Sequence, residues 1–340
     1  MNATVLVTGG AGYVGAHVCK ALSENGYQPV TVDDLSQGQA RAVQWGPLAV
    51  GDIGDRDFLD GVFAEWKPRA VLHFVARSSS IRDSVDNPAD HYRVNVSGSL
   101  VLLETMLRHG VNHLVFSSTC AVYGPPERLP ITEDEALNPI SPYGASKAMV
   151  ERMLRDFDRA YGLRSISLRY FNAAGADADA KIGEAHDPET HLIPLALQAA
   201  DGHRTALEIF GDDYPTPDGT CVRDYIHVAD LSAAHLCALK GLQDGIATTA
   251  FNVGAGRGVS VAEVVRAVER VTGRKVPVKI MPRRPGDASV LVADAGRIGR
   301  VLGWAPKHTD MDSIVRTAWR WHARYRPGSR SPEDVQAAGE

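Results

Sequence analysis

The sequence predicts an α/β protein built on a doubly wound parallel sheet, followed by a smaller lobe of mixed α/β structure. Three observations predict it. Short apolar, β-branched runs alternate with helical patterns through the first half. Those runs do not alternate polar with apolar residues, as suits strands covered on both faces. Beyond Asn172 the pattern changes to shorter elements separated by loops thick with Gly, Asp and Pro. A chain of 340 residues suits one large domain and a lesser one. We expect residues 1–172 to form the first and 173–326 the second, with some segments returning to the first, and 327–340 to form a solvated tail.

Taken in order, Thr4–Thr8 reads as a strand, Gly12–Asn25 as a helix and Val30–Asp33 as the next strand. Further strands are expected at Leu48–Val50, Ala70–Val75, His113–Ser118 and Ser165–Tyr170. Helices are expected at Asp55–Trp66, Pro88–His109 and Ser141–Tyr161, the last opened by Ser141 and Pro142 as cap and first-turn residue. Strand-helix repetition of this kind implies right-handed crossovers. Val122–Pro142 reads as a surface loop. In the second half helices are expected at Leu192–Gly202, Val228–Leu242, Val261–Thr272 and Asp310–Tyr325, with a strand at Ala250–Val253. The loops Ala173–Pro188 and Gly211–Thr220 exceed what a connection needs, and such loops tend to hold ligands.

Composition excludes several classes. The net charge is −5 and there is no long Lys/Arg run, which disfavours nucleic acid or an anionic membrane as partner. No apolar stretch approaches the roughly 20 residues that span a bilayer. The four cysteines have no CxxC spacing, so we expect a reduced, cytoplasmic protein with neither a disulfide framework nor a metal site. The N-terminus lacks a basic leader and runs straight into a Gly-rich motif.

That motif places Gly9, Gly12 and Gly15 between a strand and a helix. Lack of a Cβ permits a tight turn and close approach to a pyrophosphate, and the helix N-terminus offers free N–H groups. A plain structural turn is the alternative. Asp33 closes the next strand, where a carboxylate accepts from an adenosine ribose and repels a 2′-phosphate. Asp33 could instead cap a helix. With no basic neighbour before Arg41, NAD is expected over NADP. Asp52 and Ile53, after the third strand, can lie near the adenine.

Tyr143 and Lys147 stand one turn apart on a helix face. A phenol near pKa 10 becomes a useful base at neutral pH only if positive charge favours its ionised form. Alone, the pair also fits an ordinary amphipathic helix. Thr119, at the end of a sheet strand, brings a hydroxyl to the same carboxyl edge and can share the reacting oxygen with Tyr143. Glycine loop, acid, Ser/Thr strand end and SxYxxxK helix, in this order, point to hydride transfer at a hydroxyl carbon.

At these residues the chain resembles the extended short-chain dehydrogenase/reductase family, from about Thr4 to Trp321, and within it the UDP-hexose 4-epimerases. The shared stretches are VTGGAGYVGAH, FSSTCAVYG, SPYGASK, LRYFNAAGA, IFGDDYPTPDGTCVRDYIHVAD, FNVGAGRGVSV and PRRPGD. The resemblance implies a Rossmann-type fold, NAD as cofactor, a UDP-hexose substrate, inversion at C4 through a 4-keto sugar, and a homodimer formed through Pro88–His109 and Ser141–Tyr161. It implies Tyr143 as base and acid on the 4-hydroxyl, Thr119 as its partner, and Lys147 on the nicotinamide ribose. Tyr13, Val14, Phe74, Asn95 and Tyr170 join the cofactor site; Asn172, His191, Leu192, Phe210, Arg223, Tyr225, Arg284 and Asp287 join the UDP pocket. Independently, Arg223 and Arg284 offer planar, permanent charges suited to a diphosphate and Phe210 a ring for uracil, although Arg223-Asp224 also reads as a structural ion pair. Leu291 stands near the position that gates bulk at sugar C2, which leaves UDP-N-acetylglucosamine or UDP-xylose as alternative substrates. Cys120 and Ala121 occupy the places where related dehydratases carry an Asp-Glu pair, so dehydration is not expected. An oxidoreductase that releases NADH is an alternative from another class, and a catalytically inactive dinucleotide sensor is a third, against which intact Tyr143, Lys147 and Thr119 argue.

Overall fold

The computed structural model describes residues 3–77, 81–284 and 287–325; the expected tail at 327–340 lies outside them. The first half runs β1 (Thr4–Thr8), α1 (Tyr13–Glu24), β2 (Gln28–Asp33), β3 (Leu48–Val50), α2 (Arg56–Trp66), β4 (Ala70–His73), α3 (Ile81–Asp86), α4 (Pro88–Tyr92), α5 (Ser99–Arg108), β5 (His113–Thr119), α6 (Pro142–Tyr161) and β6 (Arg164–Tyr170). The second runs β7 (Asn172–Ala174), α7 (Leu192–Ala200), β8 (Leu207–Phe210), β9 (Val222–His227), α8 (Val228–Gln243) and β10 (Thr249–Val253). It closes with β11 (Gly258–Ser260), α9 (Val261–Thr272), β12 (Val278–Met281), β13 (Val290–Leu291), α10 (Gly296–Leu302) and α11 (Met311–Arg324).

Seven strands pair in parallel in the order β10-β6-β5-β4-β1-β2-β3. The chain order reverses between β1 and β4, and ligands of such sheets lie beyond the carboxyl ends of the strands at that point. Leu22 of α1 and Leu231, Leu239 and Leu242 of α8 bury one face. Phe63, Leu102, Met106 and Leu154 bury the other. The doubly wound sheet is therefore as expected, and its seventh strand comes from beyond residue 172. Ser141 caps α6 by accepting from the Gly144 N–H at 3.2 Å, as its place before Pro142 predicts.

The helix expected as one piece over Pro88–His109 is broken. A six-residue π-helical turn, Arg93–Gly98, separates α4 from α5. Side chains hold it open. The Asn95 amide donates to Ser146 Oγ at 2.9 Å and accepts from the Arg77 N–H at 2.8 Å, while the Ser99 hydroxyl donates to the Asn95 carbonyl at 2.5 Å. Such turns concentrate at functional sites.

The second lobe is richer in strands than its sequence suggests. β9 is flanked by β11 and β13, with β7 also paired to it, and β8 pairs with β12. These strands are two to six residues long, and their partners are remote in sequence, so no local periodicity marks them. α7, α9 and α11 close over them, with Ile193, Leu197, Val264, Val268, Ile314 and Val315 in a separate core.

Candidate active site

The glycine loop has the geometry that its spacing predicts. Gly9 has φ +76°, and a Cβ there would meet the Val75 nitrogen at 2.8 Å. At Gly15 a Cβ would meet the Gly9 carbonyl oxygen at 2.2 Å, so α1 approaches the loop as closely as glycine allows. Gly12 is the N-cap of α1 and no side chain caps it, leaving the first N–H groups for a ligand. Val14 follows on the first turn, packed against the core. Asp33 ends β2 with its carboxylate oriented by backbone N–H groups, from Ala11 at 3.0 Å and Leu35 at 2.9 Å. Burial raises its pKa to about 6, against those two hydrogen bonds. Ile53 is buried against Gly98, whereas Asp52 is exposed and accepts from the Gly54 N–H at 2.8 Å. Phe74 flanks the loop and packs on His235, with ring centroids 4.8 Å apart.

The candidate catalytic residues converge at the ends of β5 and β6. Thr119 closes β5, and its hydroxyl accepts from the Ala121 N–H at 3.1 Å and hydrogen-bonds Tyr143. Lys147 is buried and donates to the Ser117 carbonyl at 2.9 Å, its Nζ lying 4.8 Å from the centre of the Phe116 ring. Tyr170 closes β6 and shares a 2.7 Å hydrogen bond with Ser117 Oγ. Burial lowers the Lys147 pKa to about 7. It also pushes the Tyr143 phenol well up, reinforced by neighbouring Tyr170 and opposed by the Thr119 hydrogen bond. The Lys147 amine faces Ser117 and burial disfavours its charge, whereas the expected activation of Tyr143 draws on Lys147 and the nicotinamide charge together.

Behind them, His73 is sealed in, with its pKa lowered to about 3 by burial and by the Lys147 charge. It lies 2.7 Å from Thr8 Oγ1 and 2.8 Å from Ser99 Oγ. Since the Ser99 hydroxyl proton goes to the Asn95 carbonyl, His73 donates through Nε2 and accepts from Thr8 through Nδ1. This chain ties the ends of β1 and β4 to the π-turn. Asn95, expected at the cofactor, has its amide engaged in that scaffold.

β9 gathers the candidate substrate residues. Its register places Asn172 of β7 beside Tyr225, and Leu291 of β13 beside Arg223. Arg223 donates to Asp287 at 3.1 Å and to the Val222 carbonyl at 2.9 Å. The alternative pairing of Arg223 with Asp224 is wrong: the Asp224 carboxylate is fully buried and accepts from the N–H groups of Ala255, Gly256 and Ala293. Arg284 lies over the Phe210 ring, 3.8 Å from its centre. The charge of Arg223 is felt at Cys120, one residue past Thr119, and Leu291 packs in one cluster with Cys120, Val122 and Phe171. Residues of β9 and β13 therefore lie close to the end of β5 and the candidate catalytic residues.

Leu192 opens α7 and His191 is its N-cap residue. The His191 Nδ1 lies 2.8 Å from both Glu184 and Glu189. Sequence reasoning missed these acids and His186, although the spacing E-x-H-x₂-E-x-H carried them. Tyr13 donates to the Gly175 carbonyl at 2.6 Å, joining the glycine loop to the segment that leads to this cluster.

Comparison with known proteins agrees with this geometry. A family model, the NAD dependent epimerase/dehydratase family, matches residues 5–254. The chain belongs to that family. It is 54% identical over 318 residues to the UDP-glucose 4-epimerase of Azospirillum brasilense, covering 93% of this chain and 91% of that one. The crystal structure of UDP-glucose 4-epimerase from Brucella ovis in complex with NAD is 49% identical, with a TM-score of 0.91 and coverage of 94% and 98%. That of the Bifidobacterium longum enzyme in complex with NAD+ and UDP is 36% identical, with a TM-score of 0.90 and coverage of 96% and 99%.

The buried amine gives a pH prediction for the chain stripped of nucleotide. The folded-state pKa of Lys147, about 7, lies below its ordinary 10.5, so burial costs stability in full below pH 7 and progressively less as pH rises toward 10.5. Lys147→Met is expected to flatten the rise in stability between pH 7 and 10 in urea melts. An undiminished slope in the variant contradicts the assignment.

Proposed function

We propose that this chain is an NAD-dependent isomerase, a 4-epimerase interconverting UDP-glucose and UDP-galactose through a 4-keto sugar. The observation that carries the reading is the meeting of Thr119, Tyr143 and Lys147 with Arg223 and Leu291 at the carboxyl edge, beside a glycine loop closed by Asp33. Gly9, Gly12, Gly15 and Asp33 fit a dinucleotide with free ribose hydroxyls. Tyr13, Val14, Ile53, Phe74 and Tyr170 would complete the cofactor site. When bound, NAD supplies the hydride acceptor and then the donor at sugar C4. Tyr143 takes the 4-hydroxyl proton as that carbon is oxidised and returns it on reduction. Thr119 would hold the same oxygen, and Lys147, which donates to the Ser117 carbonyl here, would hold the nicotinamide ribose. Arg223 and Arg284 hold the diphosphate, Phe210 the uracil, and Asn172, Tyr225, His191 and Leu192 complete the nucleotide pocket. Firm UDP binding with a loosely held hexose lets the ketose turn and take hydride on its other face. Residues 1–172 supply mainly the cofactor half of this site and 173–326 the UDP half.

Incubation with UDP-galactose is expected to give UDP-glucose with no net NADH; stoichiometric NADH, or no product, overturns the reading. Tyr143→Phe should lower turnover by at least about 10²-fold, the low end for a general base, while retaining NAD. Near wild-type turnover in that variant removes Tyr143 from its role. Leu291 is of intermediate bulk beside Arg223, and we assign it the gate at C2. Leu291→Tyr should suppress any activity on UDP-N-acetylglucosamine while sparing UDP-glucose, and an unchanged ratio of the two rates rejects the gate.

We also propose a homodimer through α5 and α6, where Leu100, Met149 and Tyr161 are exposed at 38%, 47% and 62%. Light scattering should read twice the 36.6 kDa chain mass, and Met149→Asp should reduce it to one. A wild-type chain that scatters as a monomer excludes the dimer. Four free thiols support a reducing, cytoplasmic location, and among the described residues no helix is long and apolar enough to cross a membrane.

A further inference from the structure

The loop between β7 and α7 carries two glutamates and two histidines, Glu184, His186, Glu189 and His191, each with one ligand atom within 4.8 Å of those of the others. These are not loose surface charges. The Glu184 and Glu189 side chains are only 8% and 7% exposed. The loop is held from three sides: Gln39 donates to the Ala185 carbonyl at 2.7 Å, Trp321 Nε1 donates to the Glu184 carbonyl at 2.8 Å, and the Thr190 and His191 N–H groups orient the Glu189 carboxylate at 2.8 and 2.9 Å. One atom in the cluster is left over. His186 Nδ1 is buried, has no hydrogen-bond partner, and points to Glu184 Oε1 at 3.5 Å.

We propose that Glu184, His186, Glu189 and His191 form a binding site for a divalent transition-metal ion of the zinc type. Two imidazole nitrogens and two carboxylate oxygens are a donor set that suits zinc, and two negative charges neutralise a divalent cation. Metal–ligand bonds of about 2.0–2.2 Å in a tetrahedron put neighbouring donor atoms about 3.4 Å apart. The Glu184–His186 separation of 3.5 Å already matches. The two 2.8 Å contacts of His191 need to open by roughly 0.6 Å to reach that tetrahedral spacing. The cation then replaces the His191 N–H as the group that satisfies both carboxylates, and it gives the unpartnered His186 nitrogen a bond. Entry is open, since Glu184, His186 and Glu189 line a cavity of about 840 Å³ bounded by the β2 loop, α7 and the end of α11. That cavity contains none of the proposed catalytic residues, so the ion serves as a fastener of loop, α7 and β2 loop rather than in the hydride chemistry.

The test is titration of the chelator-treated, NAD-bound chain with zinc chloride by calorimetry. One saturable site per chain is expected. His186→Ala, which removes a ligand outside the proposed catalytic and substrate sites, should weaken zinc binding by more than about tenfold, since even outer partners of metal ligands cost that much. Epimerisation by that variant in metal-free buffer should stay within twofold of wild type. A second group, Asp201, His203 and His322, also brings three donor atoms together. His203→Ala should leave the affinity unchanged. No saturable binding, unchanged affinity in His186→Ala, or loss only in His203→Ala each overturns the proposal. Should His186→Ala not fold, anomalous diffraction at the zinc edge from wild-type crystals decides by whether the peak lies between the four residues.

Discussion

The docking of α6 on the end of the parallel sheet is the constraint on which the catalytic edge depends. Three residues spaced four apart on one face of α6 make it: Tyr143 reaches Thr119, Lys147 the Ser117 carbonyl at 2.9 Å, and Glu151 the Ser118 hydroxyl at 2.6 Å. The third is anchored again on β6, where Arg169 meets the Glu151 carboxylate at 2.9 and 2.6 Å and Tyr123 at 2.9 Å. Lys147, Glu151, Ser118 and Arg169 are out of bulk water, and leaving any one of them unpaired is costly. A slide of α6 by one residue would break all three contacts together. The register of the helix is thus fixed by polar bonds, where apolar packing alone tolerates some slippage.

A comparable device organises the second lobe. The Asp224 carboxylate accepts N–H groups from Ala255 and Gly256 after β10 and from Ala293 after β13. A buried carboxylate with three backbone donors is satisfied without a cation, which frees the adjacent Arg223 to face Asp287 and the catalytic edge. Gly254 lies against it so closely that a Cβ would meet Asp224 Oδ2 at 2.6 Å. The pair Arg223-Asp224 is therefore a division between one residue that builds the strand array and one that presents charge.

Much of the first half was legible because its signals are local. Glycine spacing, the acid after β2, and Tyr143 and Lys147 on one helical face are each fixed by neighbours in sequence. What escaped was set by distance. Glu151 and Arg169 are partners 18 residues apart with nothing in either position to announce it. The π-turn depends on Ser146 and Arg77, far from the helix it interrupts. β7, β11 and β13 are two or three residues long and exist because β9 lies beside them. The Glu/His cluster escaped because its four residues lie in a loop, where no helical or strand period brings their side chains together.

The electrostatics of Tyr143 also bear on how its proton would be taken and returned in the proposed reaction. Burial favours the neutral phenol, and the nearby amine is itself disfavoured as a cation, its pKa lowered to about 7. With the Lys147 amine disfavoured as a cation, ionisation of Tyr143 would be helped by the positive charge of a bound oxidised nicotinamide. The phenolate is then favoured when a sugar hydroxyl is to be oxidised, and the neutral phenol once that charge has been cancelled and a proton is to be given back.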